Sequence, residues 1–459
     1  MYNLEIPWYR SPRYSPELEQ SLCRQSRENI RQIQTKKFKQ AVEHAWNHVP
    51  FYRWFWGEAG VHPGHISTID DIVKLPVWNK QIQKMFIEKH PPFGNFYTFD
   101  RLEDANFIVS TSGTTGDPVI MPLKEEDIPG LQDTTARTFG FIGIHSKDIV
   151  QVLFTYSTMG AAWACTWAAQ GVGATVLPAS SGKTTPSLRQ VSWIRQAGVT
   201  VLIGTPSYIR HLADVAMQEG IDPAATAVRI VVTAGEIASE EMRKEIEKLW
   251  NAECYDLYGT VDTMSWLAVD CNHGRKNYGA SGKHIWEDTV LIEALDENGK
   301  RCPNGEYGNM TITSWSWKNS PRIRYSIGDA VAVDETPCAC GRTLARMLPI
   351  RGRMDDVIRF HGQNIYPLAV DNFLKSFNKG FDEYMVELVN DGGSDKLFVT
   401  IEYPFATTEL EHTLRERFVA TFNVTPTIRF VSPGTTAKFT GSGREPKVKR
   451  FFDRTKKKG

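Results

Sequence analysis

The feature that most constrains the fold is a long stretch of the chain without charge. No charged residue occurs from Ile149 to Gly182, which is long enough to cross a bilayer. Glycine and proline divide it, however, into a strand-like run at Ile149–Tyr156, a small-residue run at Gly160–Gln170 and a second strand-like run at Ala174–Pro178. Strands covered on both faces explain such runs without a membrane. We therefore predict a buried β-α-β unit of a parallel sheet.

The same order continues further along the chain. β-branched runs at Thr200–Ile203 and Ile230–Thr233 predict two more strands. The second run ends in Ala234-Gly235-Glu236, and a helix is predicted from about Ser239. Repetition of strand, glycine-containing turn and helix predicts an α/β fold with doubly wound sheets. Ligands of such sheets bind at the carboxyl ends of the strands.

The length allows one large domain or several ordinary ones, and the composition is that of a protein from a reducing cytoplasm. The 459 residues include 53 basic and 53 acidic ones, and this balance argues against a nucleic-acid-binding protein. Seven cysteines do not form a disulfide framework, and Met1–Glu5 lacks the pattern of a signal peptide, so we expect a cytoplasmic location without a membrane. Composition changes near Met354, which predicts domains at 1–353 and 354–459.

Helices and strands are also predicted at the two ends of the chain. The apolar spacing in Glu17–Phe55 predicts one long helix. The C-terminal part predicts a small α+β lid domain of about one hundred residues. Its strands are expected at Val357–Phe360, Asn364–Tyr366, Tyr384–Leu388 and Leu397–Tyr403, with a helix at Glu409–Phe422.

A loop rich in hydroxyls and glycines occupies Ser110–Pro118, between the apolar runs Phe107–Val109 and Val119–Met121. A strand, a tight loop and a second strand are expected there. Glycines let backbone N–H groups point at a ligand, and hydroxyls suit phosphate oxygens. The loop is not the usual P-loop, because no Gly-Lys-Ser/Thr ends it and no helix pattern follows. Such a loop is more often a plain turn when it stands alone.

Further motifs occur elsewhere along the chain. They are Cys-Tyr-Asp-Leu-Tyr-Gly-Thr-Val-Asp at Cys254–Asp262, Arg-Ile-Arg-Tyr-Ser-Ile-Gly-Asp at Arg322–Asp329, Arg-Gly-Arg-Met-Asp-Asp at Arg351–Asp356 and a glycine-rich approach to Lys447. Together with Val-Pro-Phe-Tyr-Arg at Val49–Arg53, they resemble the adenylate-forming superfamily of acyl-CoA synthetases, and phenylacetate-CoA ligases within it.

The resemblance implies how a nucleotide is held. The implied nucleotide-binding residues are Ser110, Thr111, Ser112, Gly113, Thr114, Thr115, Gly116, Gly235, Glu236, Asp256, Leu257, Tyr258, Gly259, Thr260 and Asp329. Among them, Tyr258 is expected to stack near the adenine, Asp256 to lie at its edge and Asp329 to accept hydrogen bonds from the ribose. Asp262 is implied to hold Mg²⁺, which prefers oxygen ligands.

The resemblance also implies the catalytic residues, with departures from the family pattern. Lys447 and Arg353 are the implied catalytic residues, Lys449 competes with Lys447, and Asp355 is the implied hinge between the domains. Four positions differ from the usual residues: Asp117 replaces Lys, Val261 replaces a hydroxyl residue, Asp262 replaces Glu and Pro446 replaces Gly.

An aromatic segment is implied to bind the acid. The stretch from Phe139 to Trp167 is rich in aromatic residues, most of which are expected to fill the core. Relatives use this region for the acid-binding pocket. The implied substrate-binding residues are Phe139, Tyr156, Met159, Gly160, Trp163 and Ala234. Aromatic side chains around the pocket suit an aryl or arylacetic acid.

Cysteine and histidine residues form a candidate metal site. Cys271, His284, Cys338 and Cys340 offer thiolate and imidazole ligands in a set of four, which suits structural Zn²⁺. Some relatives carry the same pattern, including Gly-x-His-Ile-x-Glu-Asp, which matches Gly282–Asp288. His273 is the alternative fourth ligand, and four unrelated reduced residues are the alternative interpretation.

The resemblance implies an ATP-dependent aryl- or arylacetate-CoA ligase of aromatic acid metabolism. A small aromatic carboxylic acid, ATP and CoA would give acyl-CoA, AMP and pyrophosphate through an acyl-adenylate, with Mg²⁺ as cofactor. A homodimer is the expected assembly. Three alternatives stay open. One is an adenylating enzyme that passes the acyl group to an amine or a carrier-protein thiol, and another is a non-catalytic relative that binds the acid or the nucleotide. The third is a bilayer protein.

Overall fold

The chain folds into two compact units. The computed structural model describes residues 2–3, 5–111, 118–277, 279–354, 357–361, 363–377, 379–381, 383–391, 394–440 and 449–455. The first unit comprises Met1–Ile327 with Val331–Pro349, and the second comprises Gly328–Ala330 with Ile350–Gly459.

The first unit contains the larger set of helices and strands. Its helices are α1 (Pro16–Leu18), α2 (Arg27–His48), α3 (Pro50–Glu58), α4 (Lys80–Lys89), α5 (Ile128–Phe141), α6 (Gly160–Gly171), α7 (Ser187–Ala197), α8 (Pro206–Gln218), α9 (Glu240–Trp250) and α10 (Asn272–Lys276). The strands up to Met347 are β1 (Trp78–Asn79), β2 (Phe107–Ser110), β3 (Ile120–Leu123), β4 (Ile149–Val152), β5 (Thr175–Leu177), β6 (Val201–Gly204), β7 (Ile230–Thr233), β8 (Glu253–Thr260), β9 (Ser265–Val269), β10 (Lys283–Ile285), β11 (Val290–Leu295), β12 (Gly308–Ser314), β13 (Arg322–Val331), β14 (Val333–Asp334) and β15 (Arg346–Met347).

The strands of the first unit form one large sheet and two smaller ones. The large sheet has the order β14-β15-β10-β9-β8-β7-β6-β4-β5. It is parallel from β5 to β8 and antiparallel from β8 to β14. A second sheet has the order β1-β13-β12-β11, and β2 and β3 form a separate antiparallel hairpin.

Consecutive side chains of the parallel strands enter two different hydrophobic cores. Ile203 packs into a core with Cys165 of α6, whereas the preceding Leu202 packs into a core with Leu212 of α8. Successive side chains of a strand point to opposite faces, so helices must cover both faces of this sheet. The predicted doubly wound α/β fold is confirmed.

The charge-free stretch adopts the predicted β-α-β arrangement. Strand β4, helix α6 and strand β5 follow one another, and β4 pairs with β5 in parallel. Within the described part of the chain, no helix is both long enough and apolar enough to cross a membrane.

The single long helix predicted at Glu17–Phe55 is wrong, because local signals divide this segment. A π-helical turn occupies Glu19–Cys23 after α1. Ser26 then caps α2, since its hydroxyl accepts a hydrogen bond from the N–H of Asn29 at 3.2 Å. Pro50 begins α3, because proline fits the first turn of a helix but not its interior.

The second unit is a small α+β structure around its own core. Its strands are β16 (Ile358–Phe360), β17 (Gln363–Ile365), β18 (Tyr384–Asp391), β19 (Ser394–Glu402), β20 (Thr427–Val431) and β21 (Phe451–Asp453), with helices α11 (Pro367–Lys375), α12 (Thr408–Phe422) and α13 (Ala437–Thr440). The four strands and the helix predicted here are all present within a few residues. Strands β20 and β21 complete the sheet β20-β19-β18-β21.

Candidate active site

The carboxyl ends of β7 and β8 bring two predicted nucleotide-binding segments together. In the parallel register Thr233 pairs with Asp256, and the hydroxyl of Thr233 donates to Oδ1 of Asp256 at 2.6 Å. The turn Ala234-Gly235-Glu236 follows directly. Gly235 has a φ of 81°, which glycine adopts without strain. The sheet therefore places this turn and Asp256 side by side at the edge where such sheets bind ligands.

The residues of the predicted nucleotide-binding motif after Asp256 lie on the last part of β8. Leu257 is buried in the core, and the hydroxyl of Tyr258 donates to Sδ of Met310 at 3.2 Å. The pairing with β9 shifts register between Tyr258 and Gly259. A Cβ added to Gly259 would lie 2.6 Å from the carbonyl oxygen of Ser265, so only glycine fits this irregularity.

Asp262 is the residue that the sequence predicts to hold Mg²⁺. The hydroxyl of Thr260 donates to Oδ2 of Asp262 at 2.9 Å. The other oxygen, Oδ1, is buried and has no hydrogen-bond partner within the described residues. Buried polar atoms are normally paired, so an oxygen of this kind fits a bound cation. A carboxylate oxygen is the donor that Mg²⁺ prefers, and Asp262 therefore fits the metal it was predicted to hold.

The base of the predicted phosphate loop is fixed to the segment before α6. The N–H of Ser110 donates to the carbonyl oxygen of Thr158 at 2.7 Å, and their hydroxyls are also 2.7 Å apart. Thr111 closes the hairpin through its N–H to the carbonyl oxygen of Val119 at 3.0 Å. The predicted loop residues Ser112, Gly113, Thr114, Thr115 and Gly116, like Asp117, lie outside the described residues.

Two of the predicted acid-binding residues line a cavity of about 600 Å³. The rings of Tyr156 and Trp163 meet edge to face with centroids 5.2 Å apart. The cavity lies at the carboxyl end of β5, and none of its lining residues is charged. They are Tyr156, Trp163, Thr166, Gln170, Val176, Pro178, Ser180, Thr184 and Thr185.

The other predicted acid-binding residues lie elsewhere. Phe139 is completely buried in the core, where it packs with the sheet, and Ala234 is also buried. Met159 is exposed and precedes α6, and Gly160 begins that helix. A Cβ on Gly160 would lie 2.5 Å from Sδ of Met264, a contact that no local sequence signal reveals.

The structure brings the four predicted zinc ligands together. Their ligand atoms all lie within 4.8 Å of one another. Sγ of Cys271 is 3.9 Å from Sγ of Cys338, and Sγ of Cys340 is 3.3 Å from Nε2 of His284. Nδ1 of His284 lies 3.3 Å from the carbonyl oxygen of Leu344, which directs Nε2 towards the thiols. The alternative ligand His273 instead contacts Asn277 at 3.3 Å.

Proton affinities in this cluster differ from their ordinary values. The hydrogen bond from Cys271 and the neighbouring His284 hold the pKa of the Cys340 thiol far below its usual range. Burial opposes protonation of His284, but its hydrogen bonds with Cys338 and Cys340 outweigh burial and raise its pKa. Zinc binds thiolate sulfur and the nitrogen of a neutral imidazole, so the residue types of this cluster fit that metal. All seven cysteines are free thiols.

The second unit holds two predicted site residues in contact. Nη1 of Arg353 lies 3.2 Å from Oδ1 of Asp329, and the two residues form an antiparallel bridge. Gly328 has a φ of 88°, and a Cβ there would meet the guanidinium of Arg353 at 2.7 Å. Asp355, Pro446 and Lys447 lie outside the described residues. The N–H of Lys449 donates to the carbonyl oxygen of Thr440 at 2.9 Å.

Comparison with known proteins identifies the class to which this fold and site belong. Residues 75–316 match the AMP-binding enzyme family, and residues 362–455 match the AMP-binding enzyme C-terminal domain. The first match spans more than half of the chain, so the chain belongs to the AMP-binding enzymes. The predicted family and enzyme class are confirmed.

Particular relatives are similar over most of the chain. Phenylacetate-coenzyme A ligase of Thermus thermophilus is 29% identical over 85% of each chain. The enzyme of that name from Escherichia coli is 28% identical over 93% of this chain and 95% of its own. Among solved structures, an open conformation of 2-hydroxyisobutyryl-CoA ligase in complex with 2-HIB-AMP and CoA superposes with a TM-score of 0.75 at 25% identity, over 93% of this chain and 90% of that one.

Substituting Gly259 tests whether the end of β8 requires glycine. We expect Gly259→Ala to lower the free energy of unfolding by about 1–3 kcal/mol, because the new methyl group meets backbone that cannot move freely. Gly57→Ala in α3 is the control, since a Cβ there meets nothing within 4 Å and should add up to about 1 kcal/mol. Urea denaturation measures both. Equal stability of Gly259→Ala and the unsubstituted chain would show that this position does not require glycine.

Proposed function

We propose that the chain is an ATP-dependent ligase that joins an aryl or arylacetic acid to CoA. The acid and ATP would form an acyl-adenylate and pyrophosphate, and CoA would then take the acyl group and release AMP. Membership of the AMP-binding enzymes supports this reaction. The names of the relatives from Thermus thermophilus and Escherichia coli support an arylacetic acid as the substrate.

The arrangement at the carboxyl ends of β7 and β8 carries the proposal. Gly235 and Asp256 lie side by side there, and Tyr258 follows on β8. Asp262, a few residues further on, keeps one buried carboxylate oxygen without a hydrogen bond among the described residues. The ring of Tyr258 can stack on a planar base, and the carboxylate of Asp256 can accept a hydrogen bond from an exocyclic amine. A carboxylate oxygen of Asp262 can bind a metal ion that also binds phosphate. This edge of the sheet offers all three.

The first half-reaction would be an in-line attack of the acid carboxylate on the α-phosphorus, with pyrophosphate as the leaving group. The protein contributes position and charge. Tyr258 and Asp256 would hold the adenine, Asp329 would accept hydrogen bonds from the ribose hydroxyls and Arg353 would bind phosphate through its planar fork. The loop from Ser110 to Gly116 would donate hydrogen bonds to the phosphates. Mg²⁺ held by Asp262 would supply positive charge beside them.

The second half-reaction would use the same acyl-adenylate after a rearrangement of the C-terminal lid, for which we propose residues 354–459. Lys447 would bridge the acyl carboxylate and the α-phosphate during adenylation, while Asp355 would be the hinge about which the lid turns. The thiol of CoA would then attack the acyl carbon, and AMP would leave. An amine or a carrier-protein thiol in place of CoA is the competing acceptor.

The uncharged cavity is our proposed site for the aromatic part of the acid. Its volume of about 600 Å³ lies in the range of small-molecule pockets, and it offers the rings of Tyr156 and Trp163 to an aromatic substrate. Met159 and Gly160 precede and begin α6, which carries Trp163, and would border the route to the carboxylate.

Zinc is our proposed occupant of the cluster formed by Cys271, His284, Cys338 and Cys340. Four protein ligands leave no open position, so the metal would be structural. It would fix the loop between β14 and β15 against β10. A cytoplasmic location and a homodimer stay predictions from the sequence.

A panel of acids tests the proposed reaction. We expect ATP- and CoA-dependent AMP formation with phenylacetate or a related aryl acid, and none with long-chain fatty acids. Trp163→Ala should lower kcat/KM for the aryl acid by about 10- to 100-fold and leave the KM for ATP unchanged, because the lost contact is made to the acid alone. Trp54→Ala, an exposed tryptophan on α3, is the control. Absence of acid-dependent AMP formation across the panel would refute the function.

Separate half-reactions test the lysine assignment. Lys447→Ala should lower acid-dependent pyrophosphate exchange by about 10²–10³-fold, because one charged donor to the developing negative charge is lost. Transfer to CoA from supplied acyl-AMP should remain close to that of the unsubstituted chain. Lys449→Ala is the matched control and should leave both half-reactions intact. Loss of exchange in Lys449→Ala but not in Lys447→Ala would reverse the assignment.

Metal analysis tests the zinc proposal independently of activity. The purified chain should contain about one zinc ion, and Cys340→Ser should contain almost none, because a structural site needs all four ligands. Its thermal unfolding temperature should fall as well. Cys302→Ser, which removes a thiol outside the cluster, should retain the metal. A zinc-free chain of full stability after growth with zinc would contradict the proposal.

A further inference from the structure

Lys283 is a buried cation to which the proposed reaction gives no role. It lies on β10 with 8% of its surface exposed, and its Nζ is 2.9 Å from Oδ2 of Asp256. A buried ammonium group is costly unless it is paired with a charge. The partner is the carboxylate that the proposed function assigns to the adenine, so the ion pair involves a residue of the proposed nucleotide site.

The ion pair belongs to a charge-balanced group of two acids and two bases. Nη2 of Arg243 donates to Oδ2 of Asp270 at 2.6 Å and to the carbonyl oxygen of Cys254 at 3.0 Å. The same Oδ2 of Asp270 accepts a hydrogen bond from the backbone N–H of Asp256 at 3.0 Å. Arg243 therefore neutralises Asp270, and Lys283 is the cation that remains for Asp256.

Two contacts fix the plane of the Asp256 carboxylate. The hydroxyl of Thr233 binds Oδ1 at 2.6 Å, and Lys283 binds Oδ2 at 2.9 Å. Each oxygen of a carboxylate can accept about two hydrogen bonds, so both still have acceptor capacity for a ligand. Because Thr233 is the last residue of β7, that capacity lies at the carboxyl edge of the sheet, beside the turn at Gly235.

The position of Lys283 is itself fixed from the other face of its strand. Lys283 and His284 are consecutive on β10, and consecutive side chains of a strand point to opposite faces. His284 points to the cysteine cluster, and Lys283 points to Asp256. The short strand β10 therefore connects the candidate metal site with Asp256.

We infer that Lys283 is a positioning residue that orients Asp256 to accept a hydrogen bond from the exocyclic amine of adenine. The inference rests on the proposed function, because that function places the adenine beside Asp256. Adenine carries an amino group at the position where guanine carries a carbonyl oxygen. A carboxylate held in this orientation accepts a hydrogen bond from the amine and repels the carbonyl. Lys283 thus contributes to selection of ATP over GTP.

Direct nucleotide binding tests this inference without relying on catalysis. Calorimetry with ATP and with GTP compares the unsubstituted chain with Lys283→Gln and Lys283→Met, which remove the charge, and Lys283→Arg, which keeps it. Lys244→Gln on α9 is the control, since it removes an exposed lysine. We expect at least a tenfold weaker affinity for ATP and a smaller ATP-to-GTP preference in whichever neutral variant folds. Lys283→Arg should recover part of the preference, and Lys244→Gln should retain it.

The outcomes distinguish failure of the inference from failure of the proposed function. A folded Lys283→Gln or Lys283→Met that binds ATP and GTP as the unsubstituted chain does would overturn the inference alone. If neither neutral variant folds, Lys283→Arg decides, because a guanidinium group cannot reproduce the contact of Nζ with Oδ2 of Asp256. A changed ATP-to-GTP preference supports the inference, and an unaltered ATP affinity and preference overturn it. A chain that binds no ATP overturns both proposals. Pyrophosphate exchange, measured in parallel, reports the proposed function by itself.

Discussion

Parallel pairing of β7 with β8 is the constraint on which the site depends. The pairing sets Thr233 opposite Asp256, so that the glycine turn after one strand and the acidic and aromatic residues of the next reach the same edge. The hydrogen bond between the Thr233 hydroxyl and Asp256 then fixes the carboxylate at that edge. Helices on both faces hold the strands in this register, because a slip by one residue would exchange the two hydrophobic cores.

Buried charges in this protein occur in compensated groups that join distant parts of the chain. Arg243 with Asp270 joins α9 to the residue after β9, and Lys283 with Asp256 joins β10 to β8. Removing one member would leave an unpaired buried charge, which costs several kcal/mol. The cysteine cluster lies on the opposite face of β10 through His284. The same short strand therefore contributes to the cysteine cluster on one face and to the buried ion pair with Asp256 on the other.

Sequence patterns predicted the features that depend on neighbouring residues. The charge-free β-α-β stretch, the strands of the lid and the glycine turn at Gly235 follow from spacing and composition, and the motif residues follow from a family resemblance. Features that depend on tertiary contacts were not predictable. The buried pair of Arg137 and Asp288 joins residues 151 positions apart, and the pairing of Lys283 with Asp256 requires the sheet order. The prediction of one long helix was wrong because the cap at Ser26 and the proline at Pro50 divide the segment despite its apolar periodicity.

An acyl-adenylate bound at the carboxyl edge of β7 and β8 is the hypothesis that links this fold to the proposed reaction. A crystal structure with a stable analogue of an aryl acyl-adenylate tests it most directly. We expect the adenine beside Asp256 and Tyr258, with the aryl group directed towards Tyr156 and Trp163. Adenine bound at the opposite edge of the sheet, such as in the cavity of about 240 Å³ lined by Arg229 and Tyr255, would contradict it.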